Sequence, residues 1–182
     1  MVSILFTQAK SIYNTLNVDC WDIERDARKW PGGNPVVAHP PCRAWGRLSQ
    51  FAKPRPDEKE LALYAVDMIR KHGGVLEHPY GSTLWNEVPL PMPGKKDIGG
   101  GYSICVNQSW WGHKAQKKTL LYIVGCTPDK LPPIPISFDA IEYVVRPARN
   151  GTGAKIITKK EREATPIRFA EWLIRVADKC IK

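Results

Sequence analysis

The sequence predicts a single α/β domain over residues 1–182, a mostly parallel sheet flanked by helices, with later edge strands and a C-terminal helix. Three observations carry that expectation. Short apolar runs alternate with helix-patterned segments through the first half, the order that requires parallel pairing. Two of those runs close in the same manner, one on His39-Pro40-Pro41-Cys42 and one on Glu77-His78-Pro79. The chain is long enough for one sizeable core, yet it shows no internal repeat and no domain boundary.

Residues 2–6 read as a first strand and 8–16 as a helix, followed by strands at 18–22 and 35–38. Asp57 can cap a helix running to about His72, because Leu61, Ala65, Met68 and His72 recur at helical spacing. Gly73-Gly74 stops that helix, and Val75-Leu76-Glu77 forms the next strand. Residues 89–101, dense in Pro, Gly and Lys, mark a loop. Strands follow at 103–108 and 119–125, then an irregular connection at 128–135. Residues 140–145 read as an edge strand and 146–155 as a basic, glycine-containing loop. Thr158 and Glu161 fit a capping box, and Thr165-Pro166 fits an N-cap followed by proline at the first helical position. The last helix, about 166–179, buries Phe169, Trp172, Leu173 and Val176 on one stripe.

Charge and cysteine usage narrow the classes. Twenty-seven basic residues against 18 acidic ones give a net charge of +9, which favours a polyanionic partner, DNA or a nucleotide. No apolar run approaches the length that crosses a bilayer, and the amino end lacks the pattern of a signal peptide. Five scattered cysteines form no CxxC pair, so neither a zinc ribbon nor a disulfide framework is expected, and a reducing cytoplasm is the default.

The chemistry sits at the two matching strand ends. Proline fixes φ, removes a backbone donor and restricts the residue before it. Cys42 is thereby delivered stiffly to the carboxyl edge of a sheet, where α/β proteins place their sites. If the two strands are neighbours, Cys42 and Glu77 meet at one edge. A thiolate beside a carboxylic acid is the pairing that attacks an electron-poor ring and protonates it.

At these residues the chain resembles the cytosine-5 DNA methyltransferase family. Pro40-Pro41-Cys42 is similar to that family's nucleophile motif, and Leu76-Glu77-His78-Pro79 to its Glu-Asn-Val segment. The stretch from Asn107 through Trp110-Trp111-Gly112 and Gln116 to Thr119 resembles the segment that precedes a later strand. The three blocks keep the family's order and spacing over about residues 35–125. The resemblance implies a Rossmann-like, SAM-methyltransferase-like fold. It also implies attack of Cys42 on C6 of a cytosine, with Glu77 at N3 and a methyl group from S-adenosyl-L-methionine. In duplex DNA the base must first leave the stack. It assigns Asp22, Glu24 and Pro40 to the cofactor and Pro41, Arg43, Trp45, His78, Gln116 and Lys118 to the substrate; Trp110 and Trp111 are further candidates to hold a base or phosphate.

The chain also departs from the family. Phe6-Thr7-Gln8-Ala9-Lys10 stands where the family has a Phe-x-Gly-x-Gly loop, and Leu120 stands at one of its arginine positions. No stretch is long enough for a separate target-recognition domain, and the closing Gly-Asn segment is missing. The shortness points to a minimal, phage-type member acting in the host cytoplasm. The competing expectation is a non-catalytic nucleic-acid or nucleotide binder on the same scaffold, sequestering or inhibitory, as in phage anti-defence. Two other chemistries use the same residues: a zinc site from His39, Cys42, His78 and His113, and a cysteine–histidine hydrolase. The zinc-deaminase signature, a recognisable oxyanion-hole motif, a serine nucleophile elbow and a Walker loop are all absent from the sequence.

Overall fold

A computed structural model describes residues 1–46, 49–139, 141–145 and 155–180 of the chain. Six strands form the main sheet: β1 (Ser3–Leu5), β2 (Asp19–Trp21), β3 (Val36–Ala38), β4 (Gly74–Pro79), β5 (Tyr102–Asn107) and β6 (Lys118–Val124). Their order is β2-β1-β3-β4-β6-β5. The first four run parallel, while β6 lies antiparallel between β4 and β5. The architecture is thus α/β, with a mixed sheet whose parallel half comes from the strand–helix alternation of residues 1–79.

Helices cover both faces. Helix α1 (Glu58–His72) packs on one face with Val36, Ala38, Leu76, Leu120 and Tyr122. Helix α4 (Ile167–Ala177) packs on the other with Ile4, Val37, Val75, Leu121 and Ile123. Alternate strand residues go to opposite faces because the side-chain period of a strand is two. Both faces are apolar, so the strands read as continuous hydrophobic runs. The α4 face is closed by aromatic packing: Trp111 lies 4.9 Å from Phe169 and 5.2 Å from Trp172 between ring centres. Trp172 Nε1 also donates to the carbonyls of Pro132 and Pro133, at 3.2 and 3.1 Å. Two short helices complete the described chain, α2 (Leu84–Glu87) and α3 (Lys159–Glu163). The capping box expected at Thr158 and Glu161 opens α3.

Four expectations need correction. The helix expected at 8–16 is a single 3-10 turn, Ile12–Thr15. There the side chains of Asn14 and Thr15 bond back to the carbonyls of Ala9 and Ile12, local bonds that compete with a regular helix. The expected edge strand at 140–145 is a two-residue piece, β7 (Tyr143–Val144). It pairs in parallel with β8 (Lys155–Ile156) as a separate ribbon and leaves β5 as the sheet's edge. Residue 140 and most of the basic loop, 146–154, lie outside the described residues. Pro166 stands at the N-cap rather than the first helical position, with φ −59° and ψ 139°. Asp57 stands at the N-cap of α1 without a capping bond, because its carboxylate faces Arg28 at 3.5 Å.

Candidate active site

The β3–β4 register aligns Ala38 with Leu76, so the next residues, His39 and Glu77, emerge side by side. Both follow the parity of Val37 and Val75 and face the α4 side. His39 Nδ1 lies 3.0 Å from Glu77 Oε2, and His39 Nε2 lies 2.8 Å from the Tyr13 hydroxyl. Gln108 Nε2 donates to the other carboxylate oxygen at 3.0 Å and to Thr119 Oγ1 at 3.0 Å. A hydrogen-bonded row therefore crosses the carboxyl edge from the turn after β1, through β3 and β4, to the start of β6. The His39 and Glu77 side chains are 14% and 12% exposed, enough for contact with a molecule resting on that edge.

The charges of the row follow from its partners. Burial alone would raise the Glu77 pKa, but the His39 hydrogen bond, the Lys117 charge and the two neighbouring imidazoles outweigh it and hold the group down at about 2. Glu77 is a carboxylate at neutral pH, so His39 Nδ1–H donates to it. Burial, reinforced by the Glu77 charge, pushes Tyr13 well above its usual range. Tyr13 keeps its proton, and its hydroxyl pairs with His39 Nε2.

Cys42 begins a tight turn beside this row: its carbonyl accepts from Trp45 N at 3.1 Å and Gly46 N at 3.0 Å. The half-buried thiol is pushed up by burial and by the Glu77 charge, against the pull of Lys117. The sequence predicts a thiolate beside a carboxylic acid; in the free protein the proton is on the other partner, a thiol within the electrostatic field of a carboxylate. Glu163, at the end of α3, adds to the negative potential at the sulfur.

A cleft of about 170 Å³ adjoins this edge where β1 and β2 end, bordered by Phe6, Thr7, Asp22, Asp26, Pro41 and Arg55 among others. Phe6 (φ 64°) and Asp26 (φ 55°) both border it, and among the described residues they are the non-glycine residues in left-handed backbone. Such strain gathers at functional sites. Thr7 Oγ1 is buried there with no hydrogen-bond partner. A second, more open cleft of about 280 Å³ lies between Ser109, His113, Lys114 and Tyr143.

The residues singled out from the sequence fall into distinct places. Asp22 borders the first cleft, while its Oδ1 accepts from the backbone of Glu24 and Arg25 at 3.0 Å each. Glu24 is exposed and outside the cleft lining, and Pro40 is buried while Pro41 borders the cleft. Arg43 makes a two-pronged ion pair with Glu58, which is wholly buried. Trp45 is fully buried and Trp111 belongs to the core, so neither presents a ring to a ligand; Trp110 is half-buried against Trp111. His78 points to the face opposite Glu77, fully buried, with both ring nitrogens unpartnered. Gln116 and Lys118 are exposed, with Lys118 Nζ 5.8 Å from the Tyr80 ring centre.

Lys117, not Lys118, bears on Cys42 and Glu77. Tyr13, Gln108 and Lys117 are therefore the residues that sequence reasoning missed. The only signal available for Gln108 and Thr119 was strand parity, which needs the register of β6 against β4. Among the described residues no group of three His, Cys, Asp or Glu is placed to hold a metal ion. His113 bonds the Ala115 carbonyl through Nδ1 at 2.8 Å. No helix among the described residues is long and apolar enough to cross a membrane.

The fold and site define an α/β protein with a thiol, a carboxylate and a strained cleft along one sheet edge. No protein-family model matches the chain, and no curated protein matches it.

Proposed function

We propose that this chain is a DNA (cytosine-5) methyltransferase-like enzyme built on a Rossmann-like, SAM-methyltransferase-like scaffold. The observation that supports the reading best is the pairing of β3 with β4, which brings Cys42 and Glu77 out of adjacent parallel strands at one edge. In the proposed reaction Glu77, as carboxylate, accepts the Cys42 proton as sulfur bonds to C6 of the cytosine. Glu77 passes that proton to N3, and the electron pair of the C5–C6 double bond is left at C5. The thiol-and-carboxylate state of the free site holds the one proton that this step needs. The net charge of +9 suits DNA as the partner.

S-adenosyl-L-methionine, when bound, supplies the methyl electrophile. The cleft beside β1 and β2 fits its nucleoside end: Asp22 keeps a second carboxylate oxygen for a ribose hydroxyl, and Thr7 Oγ1 is an orphaned polar atom. Pro41 connects that cleft to the turn holding Cys42. These residues bind and orient; the acid–base work belongs to Cys42 and Glu77.

The test is incubation with DNA containing 5-fluorocytosine and the cofactor, followed by intact-mass measurement. A covalent adduct on the wild type that disappears in Cys42→Ser, with DNA affinity preserved, is the expected result. A folded protein that forms no adduct overturns the reading. One observation favours a second reading, a non-catalytic nucleic-acid or nucleotide binder. Phe6 occupies strained backbone at the end of β1, where the resembled family has a glycine loop. Calorimetry separates the two, because a pure binder takes up nucleotide or DNA but not S-adenosyl-L-methionine at millimolar concentration.

A further inference from the structure

The chemistry above gives Glu77 its role but leaves open what keeps a buried carboxylate ionised and aimed. The row through His39 has the geometry for it. His39 is the first residue past β3, flanked by Pro40, whose ring restricts the His39 backbone to extended conformations. Its side chain is held at both nitrogens, by Tyr13 at 2.8 Å and by Glu77 at 3.0 Å. Tyr13 is itself 1% exposed and part of the α4-side core. The titratable and charged groups around the carboxylate are Tyr13, His39, Cys42, His78 and Lys117. Of these, only His39 donates a hydrogen bond to it, with Gln108 supplying the neutral one opposite.

We propose that His39 is a positioning residue for Glu77 and Tyr13 the lock on its tautomer. Tyr13 O–H donates to Nε2, which obliges Nδ1 to carry the ring proton and donate it to Glu77 Oε2. The logic is that of a catalytic triad's orienting hydrogen bond, run from the core outward to a carboxylate that touches the substrate. Each carboxylate oxygen keeps a lone pair free, so Glu77 can accept a proton from Cys42 without releasing His39 or Gln108. No proton need travel through His39 itself. The inference rests on Glu77 serving the reaction proposed above, but its central claim concerns the ionisation of Glu77 and is measurable without turnover.

The experiment is a carbon-13 NMR titration of the protein labelled at glutamate side-chain carboxyls, with Glu77→Gln identifying the signal. In the wild type Glu77 is expected to titrate far below most glutamates. His39→Leu removes the donor and leaves the burial, so the Glu77 midpoint should rise by more than one pH unit. His39→Asn places an amide N–H where Nδ1–H stood and should restore most of the wild-type midpoint; Tyr13→Phe should shift it by an intermediate amount. A Glu77 midpoint in folded His39→Leu unchanged from wild type, or one in His39→Asn no lower than in His39→Leu, would overturn the proposal. On the activity side, the acid limb of kcat should move to higher pH in His39→Leu with KM nearly constant, and return in His39→Asn. If the wild type transfers no methyl group, the methyltransferase reading fails while the titration still judges His39.

Discussion

Gly74 packs so tightly on Val36 that a Cβ built on it would lie 2.0 Å from the Val36 carbonyl oxygen. Its φ of 135° is also one that residues with a side chain rarely adopt. This contact sets the register of β3 against β4, and with it the placement of His39 beside Glu77. Gly74→Ala should therefore cost more than about 4 kcal/mol, the range reserved for named structural faults. Loss of a cooperative urea transition, or of soluble protein, is the expected outcome; a transition within about 1 kcal/mol of wild type would show that the strands can slide apart cheaply.

Burial and, after it, the Glu77 charge raise the Cys42 thiol, so the reactivity of the sulfur should report in part on the carboxylate. At neutral pH iodoacetamide should label the exposed Cys105 ahead of Cys42. Glu77→Gln removes the negative charge and leaves Lys117 in place, so the pH midpoint for Cys42 alkylation should fall. Peptide mapping of the alkylated protein across pH 6 to 10 follows both. A midpoint that stays put or climbs would mean that the two groups do not share one field.

His78 is fully buried, and burial lowers its pKa to about 4 despite the nearby Glu77 charge. The unfolded chain binds this proton near the ordinary histidine pKa, whereas the folded protein does not until much lower pH. Stability is thus fully present above the unfolded value and is lost as pH falls towards 4, by roughly 3 kcal/mol over that interval. Glu77 adds a second decline below the ordinary carboxylate range, ending near pH 2. The urea midpoint should fall steadily from pH 7 to 4 in the wild type and much less in His78→Leu. Parallel slopes in the two proteins would remove His78 from the account.

Glu58 is a wholly buried carboxylate paired with Arg43 and approached by Arg55 at 3.5 Å. It ties the Cys42 turn to the first turn of α1. Arg43 is about half exposed, so solvent screens part of the pair. Arg43→Ala strips a buried acceptor of its main donor and should destabilise by roughly 1–3 kcal/mol. The same variant should loosen the Cys42 turn, seen as faster amide exchange at Trp45 and Gly46. Exchange unchanged at both amides would limit Glu58 to stability alone.

Much of the fold was legible along the chain. The apolar runs, the stop at Gly73-Gly74, the Leu61–Ala65 spacing of α1 and the Thr158–Glu161 cap are local signals, each set by residues within one or two turns of one another. Asn14 and Thr15 show the limit: the segment 8–16 reads as a helix but gives way to side-chain bonds back to nearby carbonyls. The His39-Pro40-Pro41-Cys42 and Glu77-His78-Pro79 endings were also plain, because proline's covalent geometry acts without tertiary context.

What only the tertiary structure decided was which of those side chains meet. Insertion of β6 antiparallel beside β4 brought Thr119, and through it Gln108, to Glu77, a pairing separated by 31 residues between Gln108 and Glu77. Strand parity sent His78 into the opposite core and Lys117 toward Cys42, although their neighbours Glu77 and Lys118 looked equivalent in the sequence. The sequence by itself determined the strands, their rigid ends and the supply of a thiol and a carboxylate. The register of the sheet decided their neighbours and their charges, because a pKa depends on burial and on groups that the chain brings together only when it folds.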